Sequence, residues 1–509
     1  MKVLLIQSLG HLYEPSGFLR TCFLEPLGLE YLASALRDKG HIVKIEYGNI
    51  NEKYFKKILT YFVPDIIGYS VYSYTFNQSL KLARIAKDLL NNVKNIFGGY
   101  HPTAVPEIIM ESVVDYVVIG EGEKTLCELI ENIEQGKSPK HIRGIAFKKN
   151  RKIYKTTYRP RINCIDEISR PLREKRFLLE TKQYQIAFPP PSKQIAVAQV
   201  IYSRGCPFNC HFCSSKSMWG SKVYWRDPIS VVDEIENLYE TYETNLIYFP
   251  DLTFNVNINK VKELCSELIK RNLPVYWWAL FRVDNIDKEL LYILKDAKCV
   301  KLSFGIESTD DYTIYKVKGN PNYNWNEVKN IFRYANNIGL IVKAFLMVGF
   351  PWEKRENIIS HKQELINSDI DELRITFATP FPATKYYKYC LKNNLFSSLN
   401  IEDFTTEIPV VKNRYLSNNE LIELKNNIFR DFYTSLYYKK RILKKLQKFP
   451  YLINSYVEYF NFLIDKNIFD SSQIDTIRTF IKEMIKQNQC LNQNELSLSD
   501  NTILSRRNY

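Results

Sequence analysis

The residues with the clearest chemical potential are three cysteines in the segment RGCPFNCHFCSSKSMWG: Cys206, Cys210 and Cys213, in C-x3-C-x2-C spacing. Thiolates are the usual protein donors to iron–sulfur clusters, and a cubane takes four ligands. Three cysteines on one short loop can hold three irons and leave the fourth open to solvent or substrate. Zinc is the competing reading, but it takes four donors and favours paired C-x2-C units. His211 could be the fourth donor, although its place inside the loop makes simultaneous ligation awkward. Buried, inert cysteines would not cluster in this way. The other cysteines of the ten lie singly, so one cluster and no auxiliary one is expected.

The chain around this loop has 509 residues, 45% hydrophobic and 25% charged, enough for several domains with cores of their own. Its 35 tyrosines read as compositional drift rather than as an aromatic recognition surface. The net charge of +14 favours acidic partners such as phosphates, nucleic acid, anionic lipid or a phosphorylated cofactor. A solubilising lysine surface is the commoner origin of such a charge. The basic run YKKRILKKLQK at 438–448 carries Ile442, Leu443 and Leu446 at helical spacing. It suits a membrane surface or an acidic substrate, or else an ordinary amphipathic helix with a solvated face. No apolar run approaches the ~18–20 residues that span a bilayer. MKVLLIQSLG reads as a first strand rather than a signal peptide. A cytoplasmic protein without a membrane span is therefore expected, and there clustered cysteines signify metal or catalysis rather than disulfides.

The elements that must position the cysteines follow from periodicity. Residues 1–150 alternate strands (Lys2–Gln7, Ile42–Tyr47, Ile66–Ser70, Val93–Phe97, Val114–Ile119) with amphipathic helices, the first ending at Gly40. This predicts an open, doubly wound, Rossmann-like parallel sheet that binds ligands at the carboxyl ends of its strands. Residues 151–194, with Arg159-Pro160-Arg161, Pro171 and Pro189–Pro191, read as a linker packed across a surface. From 195 to 395 a second alternation repeats six times. Its strands are predicted at Ala196–Ser203, Asn245–Pro250, Val275–Ala279, Val300–Ile306, Ile341–Val348 and Glu372–Thr379. The fold class is thus α/β, ending in most of a (β/α)8 barrel, a partial (β/α)6 barrel open on one side, with its chemistry on the loops after the strands. Residues 396–485 are expected to be helical, with clear segments at Leu421–Tyr438 and Asn454–Lys466. The polar tail 486–509 is expected to lack fixed structure.

C-x3-C-x-aromatic-C after a first barrel strand resembles the signature of the radical S-adenosylmethionine (SAM) superfamily. The resemblance implies a [4Fe–4S] cluster whose open iron is chelated by the amino and carboxylate groups of SAM. It places Phe212 beside the adenine and further SAM contacts at successive strand ends. FPDLTFN is similar to the family's DDxFxxN element, with Asp251 at the first carboxylate and Leu252 in place of the second. WWALFRVD puts Arg282 near the SAM carboxylate, and LSFGIES puts Glu307 at the ribose or amino group. LMVGFPWE supplies Gly349 and Pro351 to the turn that passes the adenine. TPFPATKYY is similar to P-x-P-G-T-x-x-Y, with Ala383 replacing glycine.

The first 150 residues resemble the cobalamin-binding domain of the cobalamin-dependent branch of that superfamily. The resemblance rests on PLGLEYLASALRDKGH, PDIIGYSVYSYT, FGGYHPTAVPE and GEGE. It implies cobalamin contacts from Ser70, Tyr72, Gly98, Gly99, His101 and Glu121; for His101 the competing role is a turn histidine. The D-x-H-x-x-G loop that ligates cobalt is absent, because SLGHLYEPSG has Leu9 and Glu14 around His11.

The function implied is reductive cleavage of SAM to a 5′-deoxyadenosyl radical that attacks an unactivated C–H bond. With cobalamin, it becomes methylation of that carbon. Cyclisation, ring rearrangement or carbon–carbon coupling is the alternative outcome, and a metal-stabilised nucleic-acid-binding module is a third reading suggested by the charge. The partners expected are a small-molecule, lipid or peptide substrate, anionic by the charge balance, and an external one-electron reductant such as flavodoxin or ferredoxin. No nucleic acid is expected. The linker and C-terminal helices are expected to form a lid that excludes water from the radical.

Overall fold

A computed structural model describes residues 1–9, 24–149, 152–184, 196–319, 323–465 and 469–504, with side-chain environments up to 181 and 487 in the helices ending at 184 and 504. The loop around His11, the triple proline and residues 505–509 lie outside the described residues. In the first domain, strands β1 (Lys2–Ser8), β2 (Ile42–Gly48), β3 (Ile66–Ser70), β4 (Lys94–Gly98) and β5 (Tyr116–Val118) run parallel. Helices α1 (Leu27–Asp38), α2 (Glu52–Phe62), α3 (Phe76–Leu89), the short α4 (Tyr100–Ala104) and α5 (Gly122–Glu134) connect or follow them. The apolar runs of the strands are buried on both faces: Leu4, Ile6, Ile67 and Phe97 pack into one core, Val3, Leu5, Ile66 and Ile96 into the other. Gly40 ends α1 at φ +81°; its N–H donates to Arg37 O and that of His41 to Leu36 O, closing a Schellman motif.

The sheet order is β2-β1-β3-β4-β5-β6-β7, the last two being β6 (Ile145–Lys149) and β7 (Lys152–Lys155). Both pair antiparallel, so residues 152–155, read from sequence as linker, form the sheet's edge strand. KIYK is too short and too polar to show a period. Its place comes from pairing with β6, where Tyr154 stacks on Phe147 at 5.3 Å. The linker's described residues continue from 156 to 184. In its helix α6 (Lys175–Tyr184), Phe177 enters the core of the sheet domain and the adjacent Leu178 that of the barrel.

The second sheet is all parallel: β8 (Val197–Gln199), β11 (Leu246–Phe249), β12 (Tyr276–Phe281), β13 (Cys299–Glu307), β14 (Ile341–Val348) and β15 (Glu372–Phe377), in that order. The first predicted strand is divided. β9 (Ser203–Arg204) leaves the barrel to pair with β10 (Tyr224–Trp225), because the amides of Tyr202 and Ser203 donate to the buried Asp251 carboxylate instead of continuing the ladder. The short α7 (Ser215–Trp219) follows the cysteines. Helices α8 (Pro228–Tyr242), α9 (Ile258–Arg271), α10 (Lys288–Asp296), α11 (Asp311–Lys318), α12 (Trp325–Asn337), α13 (Arg355–Ile366) and α14 (Lys385–Lys392) complete the units.

The C-terminal helices are α15 (Asn418–Thr434), α16 (Leu436–Lys448), α17 (Ile453–Asp465) and α18 (Ser471–Leu504). The predicted helix 421–438 is broken at Ser435, whose hydroxyl accepts from Tyr438 N and caps α16. These helices share the barrel's core instead of forming one of their own, with Phe432, Tyr433, Ile442 and Phe460 in the same apolar cluster as β13 and β14. α16 sits at the amino-terminal end of the strands, where Lys445 donates to Leu340 O and Arg441 to Ile370 O, while α15 begins beside the Gly349 turn, with Leu421 against it and Glu420 paired to Arg355. The anchor of the helices is Asp371, which is fully buried just before β15. It accepts from Val342 N (2.8 Å), Lys445 Nζ (2.8 Å), Tyr456 OH (2.8 Å) and Arg441 Nη1 (3.3 Å). The basic run therefore turns two of its charges inward, against a carboxylate rather than a membrane. Tyr433 OH accepts from Leu373 N at 2.8 Å, and Thr406 O accepts from Phe377 N at 2.8 Å, both along β15. The tail read as unstructured is helical to Leu504. Asp470 and Gln473 cap the helix reciprocally, and no glycine or proline interrupts it.

Asp371→Ala would leave Lys445 and Arg441 buried without a counter-charge. A loss of about 3–5 kcal/mol in denaturant-induced unfolding is expected, and Asp371→Asn should lose less.

Candidate active site

The cysteine loop is clamped at both ends. Arg161, from the linker, donates to Arg204 O at 3.2 Å where the loop begins, and to Trp219 O and Lys222 O where it ends. Gly205 between them holds φ +115°, and a Cβ there would collide with Lys222 O. Inside the loop, His211 N donates to Val317 O and Tyr386 N to His211 O, both at 2.8 Å, which pins it to α11 and α14. Phe212 packs among Met347, Phe350 and Tyr386 at the ends of β14 and β15.

The three sulfurs are half-buried, and each faces a polar neighbour: Cys206 the Thr253 hydroxyl (3.7 Å), Cys210 the Arg282 guanidinium (3.9 Å) and Cys213 the Ser215 hydroxyl (3.0 Å). Burial pushes the free thiols of Cys210 and Cys213 up, while Lys318 and Arg282 favour the thiolate at Cys210. This donor set, three thiols with hydrogen-bond donors and cations beside them, fits a negatively charged cluster. Among the described residues no three His, Cys, Asp or Glu side chains are gathered about a single-ion position.

The strand ends divide into residues open to a ligand and residues already committed. Arg282 lies over the Phe208 ring at 3.7 Å and is oriented by Asp284. Glu307 has φ +62°, a strained left-handed conformation, at the bulge where β13 meets β14. Its side chain folds over Gly305, where a Cβ would collide with it, and Lys318 Nζ lies 3.4 Å from its Oε1. Gly349 turns at φ +87°; its N–H and that of Phe350 both donate to Glu353 Oε2, at 2.7 and 2.8 Å. Pro351 O in the same turn accepts from Arg414 N. Glu353 faces His361 (3.6 Å), which meets the Thr309 hydroxyl at 2.6 Å, a buried chain that no motif in the sequence signalled. Asp251 is a correction. Both of its oxygens are taken by Tyr202 N, Ser203 N and the Ser203 hydroxyl, so it shapes the start of the cysteine loop and is not free for SAM. Burial pushes its carboxyl up to about 6 against those hydrogen bonds.

Beside the loop lies a cavity of about 450 Å³ between the carboxyl edge of the first sheet and the barrel mouth. Ser70, Tyr72, Gly98 and Gly99 line it from the sheet, and Arg204, Gly205 and Trp219 from the barrel. The glycines keep the wall low: Gly99 has φ +98°, and its Cβ would press on the Val71 backbone. Tyr72 stacks on Tyr100 at 5.9 Å, and Trp219 Nε1 donates to Tyr100 OH at 2.8 Å across the domain joint. Glu25 Oε2, Glu123 Oε2 and Arg204 Nε, on lining residues, are buried without a partner among the described residues. A large amide-rich ligand such as a corrinoid fits such a wall.

Two expected corrinoid contacts are corrected. His101 is buried away from the cavity, its Nδ1 3.1 Å from the Ser73 hydroxyl and its ring on Phe76. Glu121 lines the cavity, but its carboxylate is committed to Arg204 Nη1 (3.1 Å) and Ile162 N (2.8 Å). It belongs to the domain joint, where Arg204 also meets Glu123 (2.7 Å) and Arg173 meets Glu25, Glu30 and Glu234. Burial pushes the Glu25 and Glu30 carboxyls up, and the mutual charge of the pair adds to this at Glu30. Sequence reading missed Arg161, Arg173 and Arg204, because isolated arginines in a linker or before a motif carry no local signal.

Comparison with known proteins agrees with this geometry. Residues 22–130 match the family described as B12 binding domain, and residues 200–365 match the Radical SAM superfamily. Over 427 residues, 82% of this chain and 89% of the relative, the sequence is 32% identical to the uncharacterized methyltransferase PH0819 of Pyrococcus horikoshii. The chain belongs to the radical SAM superfamily. Its cofactors are accordingly a [4Fe–4S] cluster and SAM, with cobalamin assigned by the upstream domain. It is also 24% identical to the anaerobic magnesium-protoporphyrin IX monomethyl ester cyclase of Rubrivivax gelatinosus, over 88% of this chain and 81% of that one. In fold it is similar to the radical SAM methyltransferase TsrM from Kitasatospora setae, with a TM-score of 0.62 and 19% identity over 77% of this chain and 78% of that one. An enzyme of this superfamily takes a small-molecule substrate and a reductant, and the binding-module reading is set aside. No helix among the described residues is long and apolar enough to cross a membrane.

Two measurements test the local geometry. Gly205→Ala should keep its far-ultraviolet circular dichroism yet retain much less iron after anaerobic reconstitution, because the loop must shift to clear Lys222. Burial lowers the pKa of His101 to about 4, from an ordinary 6.5. The unfolded chain therefore takes up the proton first, and the stability held by the neutral ring is intact above pH about 6.5 and lost as pH falls toward 4. The slope is at most about 1.4 kcal/mol per pH unit, and His101→Gln should flatten it in urea titrations.

Proposed function

We propose that this protein is a cobalamin-dependent radical SAM methyltransferase acting on an unactivated carbon, and that it works in the cytoplasm. The observation that carries the reading is the single cavity lined both by the glycine rim of the first sheet and by the first residues of the cysteine loop. When bound, the cluster, SAM and cobalamin supply one-electron cleavage, an abstracting radical and a methyl carrier. The chain's own residues position these groups. Cys206, Cys210 and Cys213 hold the cluster, and Arg282 and Glu307 present opposite charges to the zwitterionic end of SAM. Phe212 and the Gly349–Pro351 turn flank its adenine. Ser70, Tyr72, Gly98 and Gly99 form the corrinoid's seat, and the Tyr72–Tyr100–Trp219 aromatic wall keeps water from the space between the cofactors.

The methyltransferase relative named above supports methylation over ring formation, and the cyclase relative supplies the second reading. Anaerobic turnover of a metabolite extract with SAM carrying a deuterated methyl group separates them. Methylation predicts a small molecule bearing the label, with S-adenosylhomocysteine formed alongside 5′-deoxyadenosine. Production of 5′-deoxyadenosine with neither of these would overturn it in favour of the cyclase-type outcome. Cys210→Ala should abolish all products.

A further inference from the structure

The cysteine loop has a second side, turned away from the cavity. Pro207, Asn209 and Lys216 are exposed there, and Lys216 Nζ donates to Asn209 Oδ1 at 3.1 Å. The pinning of His211 brings α11 and α14 against the same rim. α11 contributes Lys316, over the rings of Tyr312 and Trp352 at 4.5 Å each, and α14 contributes the exposed Lys385, adjacent to Tyr386, whose N–H donates to His211 O. None of these three lysines forms an ion pair with a described carboxylate, whereas Lys318, two residues beyond Lys316, pairs with Glu307. No Asp or Glu occurs from Gly205 to Arg226 or from Leu373 to Ile401. Tyr312 and Tyr315 stand beside the lysines, 56% and 58% exposed. A cationic rim with uncovered aromatic rings, next to a redox centre, matches an interface with an acidic protein.

We propose that this rim, centred on Lys216, Lys316 and Lys385, is the docking site of an acidic one-electron carrier protein of the flavin or iron–sulfur type. The inference rests on the cluster assignment above. One electron leaves the reduced carrier and enters the oxidised cluster; no proton moves and no bond forms. Opposite charges steer the encounter, so its rate should fall with ionic strength and with reversal of the lysines.

The test uses the reconstituted holoenzyme, reduced flavodoxin as the probe, and stopped-flow bleaching of the cluster's visible absorption. K216E/K316E/K385E should lower the second-order rate constant on the order of tenfold or more at low salt and flatten its salt dependence. Reduction by the methyl viologen radical cation should not slow. K440E/K444E/K482E, an equal charge change on the C-terminal helices, should cost much less. The proposal fails if flavodoxin reduces the rim variant at the wild-type rate, or if the distant variant is slowed equally. It also fails if methyl viologen is slowed as much as flavodoxin. Iron content and cluster absorption, measured first on every variant, separate these failures from failure of the cluster assignment.

Discussion

The geometry of this enzyme depends on a set of buried arginine–carboxylate pairs at the joint between the sheet domain and the barrel. Arg173 is held by Glu25 and Glu30 from one domain and Glu234 from the other, and Arg204 by Glu121 and Glu123 across the same boundary. Pairs this deeply buried are weak contributors to net stability, because desolvation offsets most of their attraction. They are demanding about geometry, since any other docking would strand a charge out of water. Burial pulls the Arg173 pKa down, and the surrounding carboxylates outweigh it and push it up. Arg204 directly precedes Gly205 and Cys206, so the residue that locks the domains together also sets where the cysteine loop begins. The cavity exists only in that docking, because its two walls belong to different domains.

The site is also where local rules are broken. Glu307 holds positive φ, and the amides of Tyr202 and Ser203 leave the barrel ladder for Asp251. Such strain persists only where surrounding structure over-determines it. Here that surrounding is the Arg161 clamp, the bulge in β13 and the buried Glu353–His361–Thr309 chain beneath the Gly349 turn.

Much of this was legible from the residues alone. The strand at Ile66–Ser70 and the one at Ile341–Val348 were read to the residue, because an apolar run flanked by helical periods leaves few alternatives. The cysteine spacing carried its chemistry without help from the fold. The losses share a cause, which is that a carboxylate's type is visible in sequence and its partner is not. Asp251 and Glu121 sit where ligand contacts belong, yet bond to protein groups far away in the chain. The basic run at 438–448 was ambiguous for the same reason, since Asp371, which receives Arg441 and Lys445, lies a whole helical region upstream. KIYK at β7 and the split of β8 from β9 were invisible because both depend on where amides find acceptors, not on hydrophobic period.

A sheet of six strands that does not close into a ring ends in a row of unpaired backbone groups, and such rows invite pairing with other chains. On β15 that hazard is answered by groups already described: the Tyr433 hydroxyl at Leu373 and the Thr406 carbonyl at Phe377 take amides that a seventh strand would have used. The C-terminal helices therefore act as a guard against self-association. Their loss would expose a sticky flank, and aggregation would precede any loss of chemistry.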